Sequence, residues 1–68
     1  MRTIHVYNEG RPYDTGHLVG FYTKDNKAYC TIYYTQTMTR ENIPYDKLYF
    51  NTDYNCMMYK AEDAIKVS

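Results

Sequence analysis

The chain has 68 residues, eight of them basic and eight acidic, so its formal net charge is zero. That balance lacks the basic surplus with which a nucleic-acid binder grips phosphates, and equally the acidic surplus of a DNA mimic. A single small β domain over residues 1–68 is expected, with a thin core, because a chain this short buries only about 60% of the surface it exposes when unfolded. Ten tyrosines and two phenylalanines stand against few aliphatic residues, so aromatic rings must supply much of the buried apolar area. No apolar run of about 18 residues occurs, and MRTIHVYNEG lacks the apolar stretch of a signal peptide. A cytoplasmic location without membrane contact is the expectation.

In chain order, Thr3-Ile4-His5-Val6-Tyr7 alternates as a strand with one side on a core, Ile4 and Val6 inward. Asn8 to Gly16 reads as a loop, marked by two glycines, a proline, Asn and Asp, and it presents Arg11 and Tyr13. The clearest local signal follows. His17–Thr23 and Ala28–Thr37 are rich in β-branched and aromatic residues, and Lys24-Asp25-Asn26-Lys27 between them supplies residues that tolerate left-handed backbone values. An antiparallel hairpin is expected, with Ala28, Cys30, Ile32 and Tyr34 facing the core and Tyr29, Thr31, Tyr33 and Thr35 facing away. Gly20, mid-strand, is read as a sharp bend, in preference to a bulge or a close approach by another backbone.

Gln36 to Asn42 is polar and reads as a loop or frayed extension, with Met38 as a lid over the core, or else an exposed anchor for a partner. Pro44 sets Ile43 and Tyr45 at a strand edge, and Ile43 and Leu48 pin a turn to the core. Leu48-Tyr49-Phe50 pairs with Cys56-Met57-Met58-Tyr59-Lys60 across the NTDYN reversal. Ala61 to Ser68 is expected to be a turn and then a short strand containing Ile65 and Val67.

Gly16-His17-Leu18-Val19-Gly20-Phe21-Tyr22, Ala28-Tyr29-Cys30-Thr31-Ile32-Tyr33-Tyr34 and Ile43-Pro44-Tyr45-Asp46-Lys47-Leu48 together resemble the SH3-like small barrels, Tudor-type modules in particular. The resemblance covers about half the chain and implies an all-β fold, a small strongly bent antiparallel sheet or barrel of about five strands. The Tudor group's Trp-Tyr pair and its Tyr-Gly turn are both missing, since the chain has no tryptophan and Tyr34 precedes Thr35. Methylated-ligand recognition therefore does not carry over.

Catalysis is not expected. His5 and His17 are the only neutral-pH general bases and lie in no catalytic clause, while the aspartates sit in turns. Cys30 and Cys56 form no CxxC and match no zinc spacing, so no metal or cofactor is implied and two free thiols are expected. A small, neutral, tyrosine-rich domain fits a non-catalytic binding module, such as a phage or mobile-element protein that docks on and inhibits a host enzyme or defence factor. Its partner-binding set is Tyr7, Arg11, Tyr13, Tyr29, Tyr33, Met38 and Arg40, since tyrosine and arginine concentrate interface energy. Two alternatives stay open: a nucleic-acid barrel that stacks bases on tyrosines, and a homo-oligomer that sequesters a nucleotide-like ligand. Free strand edges also allow a homodimer.

Overall fold

The computed structural model describes residues 4–66. It is all-β: strands β1 (His5–Asn8), β2 (Arg11–Lys24), β3 (Lys27–Tyr34), β4 (Thr39–Pro44), β5 (Tyr49–Asn51), β6 (Cys56–Tyr59) and β7 (Ile65–Lys66), with single 3-10 turns at Tyr45–Lys47 and Ala61–Asp63. The seven strands form one sheet in the order β5-β6-β1-β2-β3-β4-β7. β1 and β6 run parallel, and every other pair is antiparallel. Among the described residues no helix is long and apolar enough to cross a membrane.

The β2–β3 hairpin forms as its sequence dictates. Lys24 opposes Lys27, and Asp25 and Asn26 take φ values of 52° and 64°, the two left-handed residues of a type I′ reversal. Cys30, Ile32 and Tyr34 turn into the core, while Ala28 stays exposed near the hairpin tip. The ladder shifts between Leu18 and Gly20, which places a bulge where the mid-strand glycine stands. β5 and β6 pair as expected across the Asn51–Asn55 reversal, and Ile65 closes a short strand against Asn42 after the 3-10 turn.

Several expectations are corrected. Asn8 to Gly16 is no loop: a tight turn at Glu9-Gly10 leads directly into β2, and the irregular residues are confined to a bulge. Tyr7 opposes Thr15 while Asn8 opposes Arg11, so Pro12, Tyr13 and Asp14 stand out of the ladder. Polar Thr39 to Asn42 is strand, not loop or frayed extension: all four pair with β3, and Glu41 and Asn42 pair with β7 as well. Met38 is 78% exposed in the turn before β4 and covers nothing. Ile4 is exposed, leaving Val6 and Asn8 as the buried residues of β1, and the expected Thr3 and Val67 positions lie outside the described residues.

Of the two expected forms, a bent sheet or a barrel of about five antiparallel strands, the barrel does not form, and the sheet has seven strands with one parallel pair. In sheet order β6 and β4 stand four places apart, about 19 Å across a flat sheet at roughly 4.8 Å per strand, yet Tyr59 on β6 hydrogen-bonds Glu41 on β4. The sheet is therefore rolled, its concave face enclosing Val6, Cys30, Ile32, Tyr34, Ile43 and Tyr59, with Leu18, Leu48, Met57 and Ala64 against them. Lys60–Ala64 carries the chain from β6 to the far edge strand β7. So short and partly coiled a link cannot cross a flat sheet of that width. The roll is thus drawn together covalently, and among the described residues no ladder joins its two edges β5 and β7.

Gly16 lies in one inward row with Met57, Val6 and Tyr34, the ring of Tyr34 passing over it. A Cβ at Gly16 would sit 2.8 Å from the Val6 carbonyl oxygen, 3.0 Å from Tyr34 Cε1 and closer still to Ile32 Cγ2, whereas one at Gly20 would meet nothing within 4 Å. Gly16→Ala is expected to cost about 1–3 kcal/mol by overpacking, and Gly20→Ala to stay within about 0.5 kcal/mol of the parent. Urea unfolding of both variants checks this; equal midpoints would refute the close approach at Gly16.

Candidate functional site

The two faces of the rolled sheet have different chemistry. Inside, the polar groups are tied up. Tyr34 and Tyr59 hydroxyls hydrogen-bond each other, Tyr59 donates to Glu41 Oε2 at 2.5 Å, and Arg11 Nη2 donates to Glu41 Oε1 at 2.6 Å in an ion pair. The Arg11 guanidinium also lies 5.2 Å from the centroid of the Tyr34 ring. Burial pushes the Tyr34 hydroxyl pKa up to about 12, and pushes Tyr59 up further, aided by its bonds to Glu41 and Tyr34. Burial likewise raises the Cys30 thiol, which suits an inert core residue. Cys30 and Cys56 are both free, as expected.

The convex face carries a row built by register. His5 opposes His17, His17 opposes Tyr33 and Tyr33 opposes Arg40, so one line of side chains crosses β1, β2, β3 and β4. The His5 and His17 rings meet edge to face with centroids 5.1 Å apart, and the Arg40 guanidinium sits 5.2 Å over the Tyr33 ring. Alternation places Tyr7 beside His5, and Tyr29 and Thr31 beside Tyr33, on the same side. Thr15 Oγ1 donates to the Tyr7 hydroxyl at 3.4 Å, and Tyr22 stacks on Tyr29 with centroids 5.2 Å apart. Thr31 donates to Asn42 Oδ1 at 2.7 Å.

This face is cationic and aromatic. The convex positions of β1, β3 and β4, together with Thr15 and His17 of β2, hold His, Tyr, Thr, Asn, Pro, Arg and Lys27 and no carboxylate. Glu41 and Asp14, by contrast, are buried. The side chains of the row are half-buried by their neighbours or exposed, and no other element among the described residues packs over them.

The partner-binding set separates accordingly. Tyr7, Tyr29, Tyr33 and Arg40 share the convex face. Arg11 turns to the concave side and is held by Glu41, so it is not the exposed loop cation that the sequence reading placed. Tyr13, 75% exposed in the β2 bulge, and Met38, in the turn before β4, stand apart from the row. His5 and His17 belong to the row; sequence reasoning takes them as ordinary half-exposed strand histidines, which their exposure bears out, and leaves them out of the partner-binding set. Counting back from the Asp25-Asn26 reversal through a bulge at Gly20 sets His17 against Tyr33, which is the signal that would have found them.

Compared with protein-family models, with curated proteins and with solved structures, the chain has no match in any of the three.

The buried tyrosines set an alkaline limit on stability. Their folded pKa values lie above the unfolded value near 10, so the folded state holds more protons between the two. That stability is fully present below pH 10 and is lost as pH rises through about 12. Urea midpoints are expected to fall over this window, with a slope of order 1 kcal/mol per pH unit per tyrosine. In Tyr34→Phe the slope is expected to shrink; an unchanged slope would remove the buried hydroxyl as its source.

Proposed function

We propose that the chain is a non-catalytic protein-binding module whose contact surface is the convex row His5, His17, Tyr33 and Arg40 with Tyr7 and Tyr29 beside it. The observation that carries this reading is the row itself: four cross-strand side chains with paired rings and a ring-mounted guanidinium, on a sheet face over which no other element among the described residues packs. Rings pre-set against one another lose little rotamer freedom on binding, and Tyr and Arg are the types that concentrate interface energy. A face with a guanidinium and no carboxylate suits a partner surface bearing acidic side chains or free carbonyls. For so small a domain, covering a partner's working surface is the mode of inhibition available.

The test is capture of a partner by tagged protein, with and without nuclease, repeated with Tyr33→Ala and Arg40→Ala. The expected result is a stoichiometric protein that survives nuclease and is lost, at about 30-fold or greater weakening, in both variants while their urea midpoints stay near that of the parent. Undiminished capture by both variants would refute this surface. Recovery of nucleic acid alone, with steep weakening by salt, would make the rings base-stacking platforms instead.

A further inference from the structure

A second concavity lies away from the centre of the convex row, where the start of β1 meets the β5–β6 reversal and the β2 bulge. It is a cavity of about 550 Å³. Phe50 and Tyr54 stand at its rim, 54% and 71% exposed, while Met57 and the buried Met58 form apolar lining. Its polar groups are one imidazole, His5, one amide, Asn55, the Cys56 thiol and the hydroxyls of Tyr7 and Tyr54; no carboxylate, ammonium or guanidinium lines it. The reversal is ordered by Asn51, whose Oδ1 accepts from the backbone N–H of Asp53 at 2.9 Å and of Tyr54 at 3.1 Å. Asn55 is fixed at a φ of 55°.

We propose that this cavity binds a neutral, planar heteroaromatic ring of the size and polarity of a nucleobase. Its volume falls in the range of about 300–1,000 Å³ that small-molecule sites occupy, and its make-up of apolar walls with a few polar groups is that of such sites. Two rim rings with exposed faces supply stacking surface, and methionine thioethers adapt to a ring edge. The Asn55 amide offers both a donor and an acceptor, which matches the mixed edge of a heterocycle. With no cation in the lining, a phosphate on the ligand gains nothing here, so the recognised species is the uncharged ring.

The experiment is a titration of protein labelled at the methionine methyl groups with a panel of the four neutral ribonucleosides, followed by magnetic resonance. A saturable shift of the Met57 and Met58 signals is expected for at least one nucleoside, insensitive to salt and no stronger for its monophosphate. Tyr54→Ala and Phe50→Ala, both at exposed rings, are expected to weaken it about tenfold, within the range of one lost base–aromatic stack, without moving the urea midpoint. No saturable shift for the whole panel, or equal binding of cyclohexanol, would overturn the proposal. The cavity shares His5 and Tyr7 with the convex surface, so the two readings are separated by variants unique to each: Tyr33→Ala, outside the cavity, is expected to leave the titration unchanged, and Tyr54→Ala and Phe50→Ala lie outside the convex row.

Discussion

The fold depends on keeping two tyrosine hydroxyls satisfied out of water. A chain short of leucine and isoleucine fills its core with Tyr34 and Tyr59, each almost wholly buried, and each brings a polar atom with it. An unpaired buried hydroxyl costs enough to undo much of the burial of its ring. The two hydroxyls pair with each other and with Glu41, and Glu41 in turn requires Arg11. Four strands, β2, β3, β4 and β6, are thereby joined across the concave side by hydrogen bonds that no sheet ladder supplies. Among the described residues no fully buried side-chain nitrogen or oxygen lacks a partner, so the network is complete.

This requirement also explains the chemical difference between the two faces. Drawing Glu41 and Arg11 inward leaves the convex side without an acidic group along its central row and with Arg40 as that row's guanidinium. The core's polar chemistry and the surface's recognition chemistry are thus one arrangement seen from opposite sides of the sheet. Gly16 permits it, because only a residue without a side chain lets the Tyr34 ring cross β2 so closely.

What was legible in the sequence was local. The Asp25-Asn26 reversal, the inward set Cys30, Ile32 and Tyr34, and the β5–β6 pairing rest on turn chemistry and period-two alternation, both written within a few residues. What was missed depends on partners far along the chain. Thr39 to Asn42 looks like loop because its inward residue is a glutamate, and the arginine that makes a glutamate tolerable there is 30 positions away. Arg11 looked exposed for the same reason. Asn8 to Gly16 carries loop punctuation, but its Gly, Pro and Asp serve a two-residue turn, a bulge and a close approach inside continuous strand. The convex row is equally non-local: its four residues share only a register.

The parallel pairing of β1 with β6 has a consequence for how the molecule is made. Val6, Tyr7 and Asn8 find their ladder partners at Met57, Met58 and Tyr59, the opposite end of the chain. During synthesis β1 can pair with β2 soon after both emerge, but its other edge has no neighbour until β6, about fifty residues later, has been added. Until then Tyr34 also lacks the hydroxyl that completes it, and the roll has nothing to draw it shut. Sequence-distant pairing of this kind closes a long loop late and slows folding. The native sheet therefore waits on β6: its emergence, about fifty residues after β1, and not growth of the β1–β4 ladder alone, sets the moment at which this sheet acquires its shape.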